Sequence, residues 1–424
     1  MINICTEIIK QGIVMRLLGV GVLLKNPYYR FASGYSFFFF ITWSLWWSLY
    51  AIWLKNKIGL TGEQLGTLYS LNQFTSITFM VVYGVVQDKL GLRKNLMWLL
   101  SFILVLTGPF LIYFYEPYLK SHFYFVVTVG SVFFGLGYLA GCGLVDSFTE
   151  KMSRTFNFEY GTSRLWGSLG YAIGAFFAGI FFTIDPHINF WAVSVAGMVF
   201  MLMNFLFNLN QAQNHIPQKT KELTKDDFFG VLRDKQFWMF VTFIIGTWSF
   251  YTIYDQQMFP VFYASLFSTV EVGTRVYGYL NSAQVVVEAI CMAIAPFLIN
   301  RVGPKKALLI ATVIMTCRIL MAAYFINPYI ISLVKMFHAL EVPLFVVAVF
   351  KYAVANFDKR LSSTIFLIGF QIASSIGIIL LSIPLGKIFD EVGYQKVFFM
   401  ISCVVAIMLL FGFAKLSNSQ NNEK

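Results

Sequence analysis

Charge is what this chain has least of. Only 12% of its 424 residues are Asp, Glu, Lys or Arg, about half the share of a soluble domain. Hydrophobic residues make up 58%, and mean hydropathy is +0.71. A soluble fold of this length needs more polar cover than that, so the composition indicates a polytopic membrane protein. Acidic residues are scarcer than basic ones, 20 against 31, for a net charge of +11. The basic residues are scattered among short loops and form no patch, which argues against nucleic acid as a partner. Histidine is rarer still, at 4, and the 5 cysteines show neither CxxC nor metal-ligand spacing. There is no nucleophile elbow and no phosphate-cradling glycine loop. His122, His187 and His215 are too dispersed for a site. No enzyme activity, metal or cofactor is therefore implied. Cys142, Cys291, Cys317 and Cys403 lie in apolar runs and are expected to be small core residues without disulfides.

What the chain does have is long apolar runs. Twelve reach or approach the roughly 20 residues that cross a bilayer: 31–54, 65–87, 95–115, 123–145, 165–184, 188–207, 237–262, 276–299, 306–325, 329–350, 362–385 and 395–414. The reading is an all-α membrane protein with the lipid bilayer as its solvent. Residues 1–30 are assigned to a cytoplasmic N-terminal extension. Their apolar patch at 17–24 is too short to span and lacks a cleavage site of signal-peptide type; Met15 offers an alternative start. The most polar connection, 208–236, divides the chain into a six-helix unit at 31–207 and another at 237–415. Residues 416–424 form a tail. With both termini cytoplasmic, most Lys and Arg fall on the inside, and the opposite topology reverses that bias. The aromatic crowd in the first span (Phe37–Phe40, Trp43, Trp46, Trp47, Tyr50 and Trp53) is expected to face lipid or pack, with one or two rings available to a ligand.

In the run 329–350 the charged or titratable groups are Lys335, His338 and Glu341, spaced i, i+3, i+6. On a helix they share a stripe roughly 120° wide. Ionisable groups at bilayer depth normally face a water-filled cavity or a partner of opposite charge. From these residues alone, a buried packing network and a proton relay fit equally. Asp146 and Arg164, ending the fourth span and opening the fifth, need a partner for the same reason, and an ion pair that locks helices is the plainer alternative.

Two short, basic, glycine-containing loops occupy matching places in the halves. One runs from Gly84 through Asp88, Lys89, Gly91 and Arg93 to Lys94, the other from Asn300 through Arg301, Gly303 and Pro304 to Lys306. The first resembles the GxxxDxxGxRR signature of the major facilitator superfamily, with Lys89 and Lys94 in place of arginines. The stretches Val145–Lys151 and Phe158–Arg164, then Asp255-Gln256-Gln257 and Lys335–Pro343, are similar to the oligosaccharide:proton symporters, the lactose permease branch. Tyr28–Ser33, Trp43–Trp53 and Phe357–Phe366 are most similar to its sucrose-carrying members.

The resemblance implies two six-helix bundles around a central cavity. It implies proton-coupled import of a disaccharide, sucrose first, with raffinose, maltose and lactose as further candidates, by a monomer in the bacterial inner membrane. It implies sugar contacts from Asp146, Arg164, Tyr171 and His338. Asp146 stands where the branch usually has a glutamate, and Tyr171 where it has a tryptophan that stacks on galactose. A proton-coupling role is implied for Glu341 and Arg318, with His338 close by, Lys335 pairing with Asp255, and Tyr251 joining them. A second interhelical ion pair of the branch falls on neutral Thr252 and Ser374, so no orphan charge is left. The branch's glutamate in the eighth span falls on Val285, leaving Glu288 and Gln284 as nearby candidates. A passive facilitator or sugar sensor on the same scaffold is the competing reading, and it has less need of buried ionisable groups.

Overall fold

The computed structural model describes residues 25–208, 230–357 and 361–417. Among them every regular element is a helix. They are α1 (Pro27–Ile58), α3 (Asn95–Tyr118), α4 (Phe123–Thr155), α5 (Tyr160–Ile184), α6 (Pro186–Leu206), α7 (Lys235–Ser265), α8 (Val270–Val302), α9 (Pro304–Tyr324), α10 (Pro328–Asn356), α11 (Phe366–Val392) and α12 (Tyr394–Lys415), all long and apolar enough to span. α2 (Gly62–Leu90), of 29 residues, is as long but more polar. All twelve expected spans are present, most extended at their ends.

The extensions have local causes. α1, α6 and α10 each begin at an Asx–Pro step, in which Asn26, Asp185 or Asn327 accepts a hydrogen bond from the first turn and proline starts the helix. Pro27–Arg30, assigned above to the N-terminal extension, therefore belong to α1. Thr61 and Gln64 form a capping box on α2. α4 runs on to Thr155, so Asp146 lies inside that helix rather than at its end. Asp234 caps α7, two residues earlier than expected. Beyond α12, the Ser417 N–H donates to Tyr352 Oη. The expected extension up to residue 24, the charged part of the central loop at 209–229 and the tail from 418 lie outside the described residues.

α1 packs on α4, α5 and α6, α2 on α4, and α3 on α6; in the second half α8 and α9 pack on α10, and α9 on α12. The aromatic crowd of α1 fills this interior instead of facing lipid: Phe39, Phe40, Trp46, Tyr50 and Trp53 are buried. Trp46 stacks on Phe134 at 4.4 Å. Cys317 and Cys403 go the other way, exposed on the helix surface and not in the core, where an apolar thiol suits lipid as well as protein.

The two basic loops are alike in their main features. Gly91 and Gly303 both have positive φ, +60° and +88°. Lys94 Nζ donates to the carbonyls of Asn204 (2.7 Å) and Phe207 (2.5 Å) at the end of α6, and Lys305 Nζ to Phe413 O (3.1 Å) near the end of α12. Lys151 on α4 donates to Gln87 O on α2 (3.0 Å), and Lys351 on α10 to Pro296 O on α8 (3.1 Å). In each half, two lysines satisfy carbonyls at or near helix C-termini, where positive charge is favoured.

The halves meet at the end opposite these loops, α2 against α11 and α5 against α8. A Cβ on Gly66 would lie 2.2 Å from Ser382 O, and one on Gly278 would lie 2.7 Å from Gly179 Cα. Only glycine permits such backbone approach. Ser70 Oγ donates to Ile379 O (2.8 Å), and Lys55 pairs with Asp390 (3.2 Å), whose other oxygen accepts the Glu63 N–H. Between the halves the helices leave a cavity. Gly278→Leu should force α5 and α8 apart. A cysteine introduced at Asn281, behind that contact, should then react several-fold faster with an impermeant thiol reagent applied from the closed end. Equal rates with and without the leucine would contradict this packing.

Candidate functional site

The cavity, with the solvent space it opens onto, comprises about 870 Å³. Its first-half wall is Phe40, Trp47 and Ser48 of α1 with Arg164, Ser168 and Tyr171 of α5. α7 contributes Asp255, Gln256 and Pro260, and α8 contributes Tyr277, Asn281, Gln284, Val285 and Glu288. Lys335 and His338 of α10 complete it.

Backbone irregularities aim these side chains. In α7 the turn Tyr254–Met258 is π-helical, so Asp255 and Gln256, adjacent in sequence, both reach the cavity. α10 is interrupted at Phe337, between Lys335 and His338. The expected stripe survives there: Lys335 and His338 line the cavity, and Glu341, a turn further on, is fully buried behind it.

Arg318 is the fully buried centre of that region. Its Nη1 donates to Glu341 Oε1 at 2.6 Å and to Tyr251 Oη at 2.6 Å, and its Nη2 donates to Asp255 Oδ1. The Tyr251 hydroxyl donates to Glu341 Oε1 at 2.5 Å and lies 2.6 Å from His338 Nδ1. Asp255 Oδ1 also accepts Lys335 Nζ at 3.2 Å and lies 3.4 Å from His338 Nδ1. The rings of Tyr251, Tyr254 and Phe259 lie around the guanidinium. Two carboxylates and two permanent cations thus balance with His338 neutral, the condition for keeping charge in an apolar bundle.

All six groups expected in this network are in it. Sequence reasoning paired Arg318 with Glu341 alone; the structure adds Asp255 as a second partner, a contact between α7 and α9 that no local spacing announces. Glu288 and Gln284 are both cavity residues. Gln284 Nε2 donates to Glu288 Oε2 (2.5 Å), which is 3.9 Å from His338 Nε2. Thr252 and Ser374 do not meet as a pair. Their hydroxyls bond within their own helices, and Ser249 Oγ joins α7 to α11 through Ser374 O at 2.9 Å.

On the opposite wall Arg164 Nε and Asp146 Oδ1 are 2.9 Å apart, each about 30% exposed. The guanidinium carbon lies 4.1 Å from the Phe40 ring centroid, a cation–π contact beside the cavity. Tyr171 is on the same wall, and Asn281 of α8 lines the cavity with it. Phe40 and Trp47 are the rings of the aromatic crowd that line the cavity, while the sequence reading missed Ser168, Tyr277 and Asn281; no charge or motif marks these three, and only helix packing puts them on the cavity. Gln256 had a signal, its place beside Asp255 in the quoted motif.

Removing the shared carboxylate should be severe. Asp255→Leu leaves Arg318 and Lys335 partly uncompensated and should cost about 3–5 kcal/mol, seen as a lowered melting temperature of the detergent-purified protein. Asp255→Leu with Lys335→Leu should recover part of the loss. No recovery in the double variant would show that the two groups are not coupled.

The arrangement has known counterparts. A model of the LacY proton/sugar symporter family matches residues 22–423. The chain is 66% identical over 403 residues to the sucrose permease of Escherichia coli, covering 95% of this chain and 97% of that one. It is 34% identical to the raffinose permease of Escherichia coli, covering 93% and 94%. To the lactose permease of Klebsiella oxytoca it is 31% identical, covering 89% and 92%. Among solved structures it is similar to the nucleoside transporter NupG, with a TM-score of 0.77 at 16% identity and coverage of 92% and 99%. It is also similar to the inward-open xylose transporter XylE of E. coli, with a TM-score of 0.62 at 12% identity and coverage of 93% and 97%. Those two likenesses are of fold: two six-helix bundles around a cavity.

Proposed function

The chain belongs to the LacY proton/sugar symporter family, and from that premise we propose that it imports sucrose together with a proton by alternating access. It is a multi-pass membrane carrier and not an enzyme. The observation that carries the reading is the link from the cavity to Glu341 through His338 and Tyr251, contacts of 2.6 Å and 2.5 Å. A buried carboxyl group with a hydrogen-bonded route to a water-accessible cavity can take up and release a proton. Arg318 makes this tolerable. When Glu341 is protonated, the guanidinium keeps Asp255 as counter-ion; when Glu341 is ionised, it has both. With Glu341 protonated, Asp255 serves both Arg318 and Lys335 and the cluster carries one uncompensated positive charge, so the proton on Glu341 changes the balance of the whole cluster.

On this reading Arg164 and Asp146 bind sugar hydroxyls by charge-assisted hydrogen bonds. Tyr171 supplies a ring face, and His338 and Glu288 line the side nearer the coupling groups. The halves, 31–207 and 237–415 with the helix ends noted above, rock about this site. The end bearing Lys89, Arg93, Lys94, Arg301, Lys305 and Lys306 is cytoplasmic by the distribution of positive charge. On this reading both termini are on the cytoplasmic side of the bacterial inner membrane, the cavity opens to the cytoplasm, and the glycine contacts seal the outer face. The carrier acts as a monomer, since each bundle pair encloses a complete site.

In energised vesicles sucrose uptake should collapse on adding a protonophore; uptake indifferent to the proton gradient would exclude symport. Glu341→Gln should abolish uphill accumulation while sparing sugar exchange, measured as efflux of labelled sucrose against external unlabelled sucrose. Normal accumulation in that variant would remove Glu341 from the coupling role.

A further inference from the structure

Three consecutive polar residues of α7 have different fates. Asp255 is held by Arg318 and Lys335, and Gln257 Nε2 donates to Ser382 Oγ of α11 at 2.9 Å. Of the three, Gln256 lines the cavity with an exposed side chain, and among the described residues its amide makes no hydrogen bond to a protein group. Pro260 of α7, Trp47 of α1 and Asn281 of α8 line the same cavity. Asn281, on α8, is largely buried and presents a second neutral amide to the same cavity. A primary amide offers two donors and an acceptor, the complement of neighbouring hydroxyls that each donate and accept.

We propose that Gln256 and Asn281 form a neutral amide subsite for the second ring of the disaccharide, and that this subsite decides which disaccharides are carried. The proposal rests on the reading that the cavity takes a disaccharide. The ionic groups of the cavity are committed: Arg164 to Asp146, Lys335 and His338 to Asp255, Glu288 to Gln284. They can orient one ring and hold the proton, but their bonds to one another leave little freedom to read a second ring. The free amide reads it by hydroxyl pattern, and a site built to bond a hydroxyl discriminates strongly against a ligand that leaves it unpaired. The subsite also lies where the halves meet. The Gln256 carbonyl accepts the Tyr69 hydroxyl of α2 at 3.3 Å, so a ring seated there touches the junction that must part when the outer face opens.

The test uses the full-length protein in membrane vesicles, with labelled sucrose and unlabelled sucrose, maltose and lactose as competitors. Gln256→Met keeps the side-chain length and removes the amide. It should weaken sucrose about tenfold, the worth of one hydrogen bond to a buried polar group, and narrow the ratio between sucrose and the poorer competitors by a similar factor. Collapse of uptake by a protonophore should persist. If Gln256→Met does not reach the membrane, Gln256→Asn and Asn281→Leu carry the same expectation. An unchanged ratio, or equal weakening of all three sugars, overturns the subsite. Absence of sucrose uptake in the unaltered protein would instead overturn the transport reading.

Discussion

A guanidinium buried where no water reaches must be matched by charge, and in this protein that demand organises the second half. Arg318 is fully enclosed and divides its fork between Asp255 on α7 and Glu341 on α10. Three helices are thereby tied at one point: α7, α9 and α10. Lys335 and His338 then gather on Asp255 from the cavity side. The bundle cannot be repacked without deciding where each of these charges goes. A change in the proton content of one carboxyl shifts the balance of the whole cluster, which is what a coupled carrier requires.

The first half answers a different demand. Its charged pair, Arg164 with Asp146, is partly open, with the guanidinium over the Phe40 ring. A buried cluster stores a proton; a half-exposed, oriented fork offers directional hydrogen bonds to a solute. The two kinds of electrostatics face each other across a single cavity. The contacts that close one end include close glycine approaches and hydroxyl hydrogen bonds together with an ion pair and an aromatic pair, Phe176 with Tyr279.

Much of this was legible in the chain. Scarcity of charge and twelve apolar runs dictated a helical membrane protein, since backbone polar groups in lipid must be satisfied within the helix. The i, i+3, i+6 spacing placed Lys335, His338 and Glu341 on one face, and the structure keeps them there. The matched basic loops foretold a repeat, which the lysines 94 and 305, and 151 and 351, bear out as equivalent helix-end contacts. Local signals were misread at helix ends: Asn26-Pro27 marks the start of α1, and Asp146 lies within a longer α4 than its apolar run suggested.

The sequence by itself determined the solvent, the number of spans, which ionisable groups lie at membrane depth and hence which residues needed explaining, because burial of charge and satisfaction of the backbone are rules that act along the chain. Tertiary structure alone decided that Arg318 serves two carboxylates, that Gln256 stands free while its neighbours are bound, and that the rings of α1 turn inward. These are matters of which helix lies beside which and how each is rotated. Hydropathy is blind to both, since a residue facing lipid and one facing a neighbouring helix can be equally apolar.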